Sequence, residues 1–191
     1  GAASGDNRAF YAMLAAYMKG SGAGRVVPVR LCGRRPDAER ARRDLEAADV
    51  VFLSGGDVEA GMAVLERTGM VPLLERLYRD GRPFFGLSAG SIMLAARWVR
   101  WDDPEDDSTI GLFPCLGFAP VLVDTHGEAD GWSELVALLG LEKKGAVGYG
   151  IPTGAGVRVG SDGVVAALAG PVHRFVRGSS GVERIADLVP A

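Results

Sequence analysis

Hydrophobic positions along the chain alternate between two periods. Phe10, Leu14, Tyr17 and Met18 recur at helical spacing, "GSGAG" breaks the pattern, and the β-branched run from Val26 to Leu31 predicts a strand. In "RRPDAERARRDLEAADV", Asp37 predicts a helix cap and a charged helix follows, leading into the short apolar run Val50-Val51-Phe52-Leu53. Helical spacing returns over Val58 to Arg67 and Pro72 to Tyr78, a short strand is expected over Pro83 to Gly86, and a helix over Ala89 to Arg97. Strands with near-continuous apolar residues, separated by helices, predict an α/β fold: an open, doubly wound, mostly parallel sheet with helices on both faces.

The opening "GAASGDNRAF" reads as the turn after a strand, with Ser4, Asp6 or Asn7 as the cap of the first helix. A buried strand is therefore expected ahead of it. Toward the C-terminus the pattern changes. "WDDPEDDST" predicts an acidic loop, Val121 to Val123 a strand and Trp132 to Leu139 a helix. The Gly-rich "GAVGYGIPTGAGVRVGSDGVVAALAG" then carries hairpin signals such as Ser161-Asp162-Gly163, so antiparallel edge strands are expected there.

Length and charge narrow the possible roles. The 191 residues suit one domain over 1–191 with a self-sufficient core. A net charge of -3, with both signs mixed along the chain, supplies no basic field for nucleic acid or an anionic membrane. No apolar run approaches the roughly 20 residues of a bilayer span, and no leader pattern opens the sequence. A soluble, cytoplasmic protein is expected, as monomer or homodimer. Cys32 and Cys115 read as two free thiols.

In an open parallel sheet, ligands bind beyond the carboxyl ends of the strands, which draws attention to two loops. One is Ser54-Gly55-Gly56-Asp57, whose paired glycines allow backbone N–H groups to face a ligand or a developing anion. The other is Gly86-Leu87-Ser88-Ala89-Gly90, a G-x-S-x-G between a strand and a helix, which presents the serine hydroxyl on a sharp turn. A serine needs a base to become a nucleophile. Of the two histidines, His126 follows a strand in "VLVDTHGEADGW", whereas His173 in "GPVHRF" falls among the late edge strands. His126 is therefore the candidate base. The carboxylate expected to orient it is left open by spacing among Asp102, Asp103, Glu105, Asp106 and Asp107, with Asp124 and Glu128 flanking the histidine at two-residue intervals. The series Asp124, His126, Glu128, Asp130 lacks a second histidine or a cysteine, so neither a metal nor another cofactor is expected.

Taken in order, Gly55-Gly56-Asp57, Gly86-Leu87-Ser88-Ala89-Gly90-Ser91, "GLFPCL", the strand leading to His126, and "GAVGYGI" resemble the peptidase E and cyanophycinase family of serine peptidases over nearly the whole chain. The resemblance implies a fold similar to class I glutamine amidotransferases, with serine where those enzymes carry a nucleophilic cysteine. It implies Ser88 as nucleophile, His126 as base, and the N–H groups of Gly56 and Ala89 as the oxyanion hole. Asp103 stands at the offset where the aspartyl dipeptidases of the family carry their acid, and Asp102 is beside it. The glutamate that cyanophycinases use has no counterpart, because "YGIPTGAG" places Pro152 and Thr153 there.

The chain departs from the aspartyl dipeptidases after the histidine. Their arginine-containing segment is replaced by "HGEADGWSEL". Gly55, Asp57, Glu128 and Asp130 are the expected substrate-binding residues, and the two carboxylates beyond His126 favour an amine or guanidinium over an acidic side chain. A serine hydrolase acting on a small peptide or amide is the expectation. Acyl or amide transfer by the same triad, and a non-catalytic binding domain of this fold, are the alternatives.

Overall fold

The first helix forms as α1 (Arg8–Gly20), and of the three candidate caps Asn7 serves, its side chain accepting the Phe10 N–H at 3.0 Å. The computed structural model describes residues 1–33, 36–103 and 105–191, which form two compact units, Gly1–Gly90 and Ser91–Ala191.

In the first unit, Asp37 caps α2 (Ala38–Glu46) as expected, accepting the Arg40 N–H at 2.8 Å. β1 (Val51–Leu53) follows, then α3 (Val58–Arg67), α4 (Val71–Arg79) and β2 (Phe84–Gly86). β1 and β2 run parallel with Val51 opposite Phe84 and Leu53 opposite Gly86. The helices bury their apolar stripes, Val58, Met62 and Leu65 on α3 and Leu73, Leu74 and Leu77 on α4. Each such side chain contributes about 1.5–3 kcal/mol through removal from water.

The expected strand from Val26 to Leu31 does not form, and the segment is irregular. A strand exists only through its neighbour, and here the backbone is tied to side chains instead. Asp6 Oδ2 accepts the N–H groups of Leu31 and Cys32 at 2.7 and 2.6 Å, and the Tyr11 hydroxyl donates to the Val26 carbonyl at 3.1 Å. Between this segment, α1 and β1 lies a cavity of about 570 Å³, lined among others by Leu14, Val26, Val29, Val51 and Phe52. The Phe52 and Phe85 rings pack 4.6 Å apart beside it, and Phe85 is 45% exposed.

α5 (Ala89–Leu94) is shorter than expected, and Arg97 opens a strand instead of closing a helix. The cause is legible in "RWVRW", where two tryptophans and a valine, residues that favour strands, fill three of five positions. β3 (Arg97–Trp101) pairs antiparallel with β4 (Ile110–Pro114), Val99 is fully buried, and the Arg100 guanidinium lies 5.5 Å from the centre of the Phe113 ring. The acidic run is thus the loop of a hairpin. Its described residues include a short 3₁₀ turn over Asp107–Thr109.

The remaining second unit contains β5 (Leu122–Thr125), α6 (Ser133–Gly140), β6 (Val147–Ile151), β7 (Gly156–Val159), β8 (Val165–Leu168), β9 (Val172–Arg177) and β10 (Val182–Leu188). β5 and β6 are parallel, whereas β9 and β10 join antiparallel in the order β10-β9-β6-β5, giving the expected antiparallel edge. β7 and β8 form a separate hairpin through the turn around Gly163. Val99, Leu122, Trp132, Leu135, Leu138, Leu139 and Phe175 make the core beneath α6.

The fold is therefore mixed α/β, with parallel pairs at β1–β2 and β5–β6; the ladders among the described residues make small sheets instead of one doubly wound sheet. No described helix is long and apolar enough to cross a membrane.

Candidate active site

In the first unit, the two loops singled out by sequence leave the carboxyl ends of adjacent strands. β1 delivers Ser54-Gly55-Gly56-Asp57, and β2 delivers the Ser88 turn. The Leu53 carbonyl accepts the Leu87 N–H at 3.0 Å, carrying the pairing one step past the ladder. Ser88 then takes a left-handed backbone, φ 51°, and Ala89 begins α5. This is the strand–turn–helix context that the G-x-S-x-G pattern requires.

Glycine is essential to the packing of this turn. A Cβ on Gly90 would collide with the Leu53 carbonyl, and one on Gly55 would stand 3.2 Å from both the Leu87 carbonyl oxygen and Ser88 Cβ. The two strand ends are thus in backbone contact, with Gly55 buried and Ser88 half-buried. Gly56 has φ 141°, a glycine conformation, and lies against the Ala3 carbonyl, which accepts the Asp57 N–H at 3.0 Å. Asp57 caps α3, its Oδ1 accepting the Ala60 N–H at 2.7 Å.

In the second unit, His126 follows β5 in a left-handed conformation, φ 47°, and its N–H donates to the Ile151 carbonyl at 2.9 Å. The imidazole is exposed. Trp132 underlies this loop. A Cβ on Gly150 would stand 2.7 Å from the indole, and one on Gly127 2.9 Å from it and 3.2 Å from Asp124 Oδ2. The indole therefore packs against the backbone of β6 and of the loop itself.

The carboxylates around this loop differ in environment. Glu128 Oε1 accepts the Thr153 N–H at 2.7 Å, and that bond holds its carboxyl below the usual glutamate value. Asp130 is an N-terminal tie for α6, accepting the Trp132 N–H at 3.0 Å and the Ser133 hydroxyl at 3.0 Å. Asp124 is only 6% exposed; burial pushes its carboxyl up, against the bond it accepts from the Thr125 N–H at 2.7 Å. Glu134 at the start of α6 is likewise pushed up by burial and by the charge of Asp124. His126 acts electrostatically on Asp124, Glu128 and Glu134 alike, favouring their ionised forms.

Asp103 and Asp102 lie in the exposed hairpin loop. Asp103 Oδ1 accepts the Glu105 N–H at 3.0 Å, and Asp102 pairs with Arg100 at 3.6 Å. His173, in β9, sits 3.1 Å from Asp187 and stacks edge-on against Trp132 with ring centres 5.6 Å apart. Sequence reasoning passed over Glu134 and the part played by Trp132. The available signal was the run Trp132-Ser133-Glu134 entering a helix directly beyond the histidine loop.

Residues 4–165 match the model of peptidase family S51. The chain belongs to that family. Among curated proteins it is 36% identical over 75 residues to Peptidase E of Streptomyces coelicolor, covering 37% of this chain and 31% of that one. It is 31% identical over 80 residues to the pyridoxal 5'-phosphate synthase subunit PdxT of Geobacillus thermodenitrificans, covering 42% of this chain and 41% of that one. The match to PdxT of Nocardia farcinica is 37% over 71 residues, covering 37% and 31%. The alignments thus span less than half the length of these curated relatives.

For this S51 chain, the backbone contact at Gly90 has a measurable consequence. Gly90→Ala should lower unfolding stability by about 1–3 kcal/mol through overpacking. Gly140→Ala, with nothing within 4 Å of the added carbon, should not. Urea titration of the two variants checks this.

Proposed function

We propose that the protein is a serine hydrolase that cleaves a peptide or small amide through an acyl-enzyme on Ser88. The observation that carries this reading is the left-handed Ser88 turn between β2 and α5, packed against the end of β1 through Gly55 and Gly90. Membership of S51 supports it at the level of a peptidase.

In the proposed mechanism, Ser88 Oγ attacks the scissile carbonyl carbon as His126 takes the hydroxyl proton, and the carbonyl electrons move onto oxygen. The N–H groups of Gly56 and Ala89 stabilise that oxyanion. Collapse expels the amine, which receives its proton from His126, and leaves Ser88 esterified. Water then attacks the ester with His126 again as base, and the proton returns to Ser88 as the acid product departs. Asp103 is assigned, on the family offset, to hold the imidazole tautomer. No cofactor enters any step.

Gly55, Asp57, Glu128 and Asp130 are assigned to substrate binding, and the two loop carboxylates favour a substrate with a cationic group. Asp130 also anchors α6; Glu128 accepts the Thr153 N–H, a bond that a glutamine oxygen can keep, so Glu128→Gln is the probe of specificity.

We also propose that the core sheet is open and doubly wound. Among the described residues β1 has one ladder partner, β2, and this together with the adjoining 570 Å³ cavity supports a further strand running beside β1. Such a strand would give Val26 to Leu31 the neighbour it lacks.

Three outcomes test these assignments. A fluorophosphonate should label Ser88 in the intact protein and fail to label Ser88→Ala or His126→Ala, by intact mass and peptide mapping; absence of labelling in folded protein overturns the nucleophile. Glu128→Gln should raise KM for cationic substrates selectively across a small dipeptide library, and unchanged selectivity rejects the charge assignment. Joining an extended apolar segment of about five residues ahead of Gly1 should raise the melting temperature and slow amide exchange at residues 26–31. An unaltered melting temperature and exchange pattern would reject the added strand.

A further inference from the structure

Asp124 is the buried carboxylate closest in sequence to His126, and the geometry gives it work that the mechanism above leaves unassigned. It ends the apolar run of β5, where Leu122 and Val123 are also buried. Its strand partner on β6 is Gly150, the residue on which the Trp132 indole rests. Oδ1 accepts the Thr125 N–H, and Oδ2 lies beneath Gly127, 3.2 Å from where a Cβ there would stand. The carboxylate thus occupies the inside of the turn whose outer residue is His126.

We propose that Asp124 is a positioning residue for His126, holding the left-handed turn that carries the imidazole and supplying the buried negative charge that stabilises the imidazolium. This rests on His126 being the base. It adds a carboxylate beneath the turn and leaves the orienting assignment of Asp103 as it stands.

The neighbouring charges define what Asp124 alone can supply. Asp130 in the loop is a like charge that opposes its ionisation, Asp124 in turn opposes that of Glu134 on α6, and one oxygen of Glu128 accepts the Thr153 N–H. On β3, Arg97 pairs with Glu142 and Arg100 with Asp102. On β9, His173 lies across Trp132 and pairs with Asp187, while Arg174 donates to the Ala186 carbonyl. The bond from the Thr125 N–H is the first influence that favours the ionised form of Asp124, and the electrostatic effect of His126 adds to it.

Burial raises the Asp124 carboxyl above its ordinary value. A carboxyl raised on folding binds its proton more tightly in the native state, so stability declines as pH rises above the unfolded value. An ionised Asp124 is therefore held at a cost in stability, as expected where function outweighs packing. A purely structural aspartate would show the opposite: its loss would destabilise the fold.

The test is Asp124→Asn, which keeps an oxygen acceptor for the Thr125 N–H and removes the charge, with Asp124→Ser as a second variant should the first misfold. Three readouts are expected at pH 8 and across a pH series. The melting temperature should equal or exceed that of the wild type. The NMR titration of the His126 ring, separated from His173 by means of His173→Gln, should move to lower pH. Hydrolysis should lose on the order of 10–100-fold in kcat, the scale seen when the partner of a metal-bound histidine is removed, with KM nearly unchanged and the acid limb of the pH profile moved the same way. An unmoved His126 titration in a folded variant overturns the proposal, as does failure of both variants to fold. Because the ring titration requires no turnover, it remains decisive even if Ser88 labelling shows that the hydrolase reading is wrong.

Discussion

The first unit depends on how closely the carboxyl ends of β1 and β2 approach. One carbonyl, that of Leu53, takes the Leu87 N–H and also fills the space where any side chain at position 90 would begin. That double use makes the exit from β2 abrupt. The chain has a single residue, Ser88, in which to reverse before α5 starts, and a left-handed backbone is how it does so. Hydroxyl presentation is thus a consequence of strand packing, and Gly55 and Gly90 are the residues that permit the approach.

The second unit solves a related problem with a large side chain. Trp132, only 4% exposed, fills the layer between α6 and the sheet, and Gly150 and Gly127 supply the flat surfaces that receive it. Gly148 does the same for Leu135 and Leu139. Alternating glycines in β6 let α6 sit close to the backbone of the sheet, and the loop carrying His126 is carried along with it. The histidine is exposed, yet its backbone is fixed from below by Ile151 and its loop by the buried indole. An exposed imidazole whose backbone and loop are tied down in this way is the kind of mount that proton transfer requires.

What could be read from the sequence divides along the same line. The helices from Arg8 to Arg79 were legible because their caps and stripes are local: Asn7, Asp37 and the leucines of α4 act within a few residues. The segment from Val26 to Leu31 was misleading because β-branched residues state a preference that only a neighbour can satisfy. By spacing Arg97 reads as the last residue of the preceding helix, although the tryptophans and valine beside it favour the strand that forms. Ser88 and His126 stood out because each follows a strand with an unusual residue. The carboxylates did not, because their local duties leave no mark in spacing. Asp130 ties the start of α6, Asp57 caps α3, and Asp103 closes a turn on Glu105, as any aspartate near a free N–H can do. Burial, the property that separates Asp124 from them, follows from the packing of Trp132 and is invisible in a string of letters.

Backbone conformation adds an observation at both candidate residues. Five described non-glycine residues have left-handed backbones: Asp6, Ser88, His126, Trp132 and Ala169. The conformation costs roughly 1–2 kcal/mol for a residue with a Cβ, and glycine would remove that cost. Asp6 and Trp132 have structural reasons to resist replacement, since Asp6 binds the N–H groups of Leu31 and Cys32 and Trp132 fills the core. Ser88 and His126 are not core residues; one is half-buried and the other exposed. Ala169, also exposed, keeps the same backbone with only a methyl group, so a left-handed conformation alone does not mark a working side chain. Ser88 and His126 differ from it in carrying a hydroxyl and an imidazole, each set just beyond a strand end, and the reactivity of those groups is what makes them the candidates for attack and proton transfer.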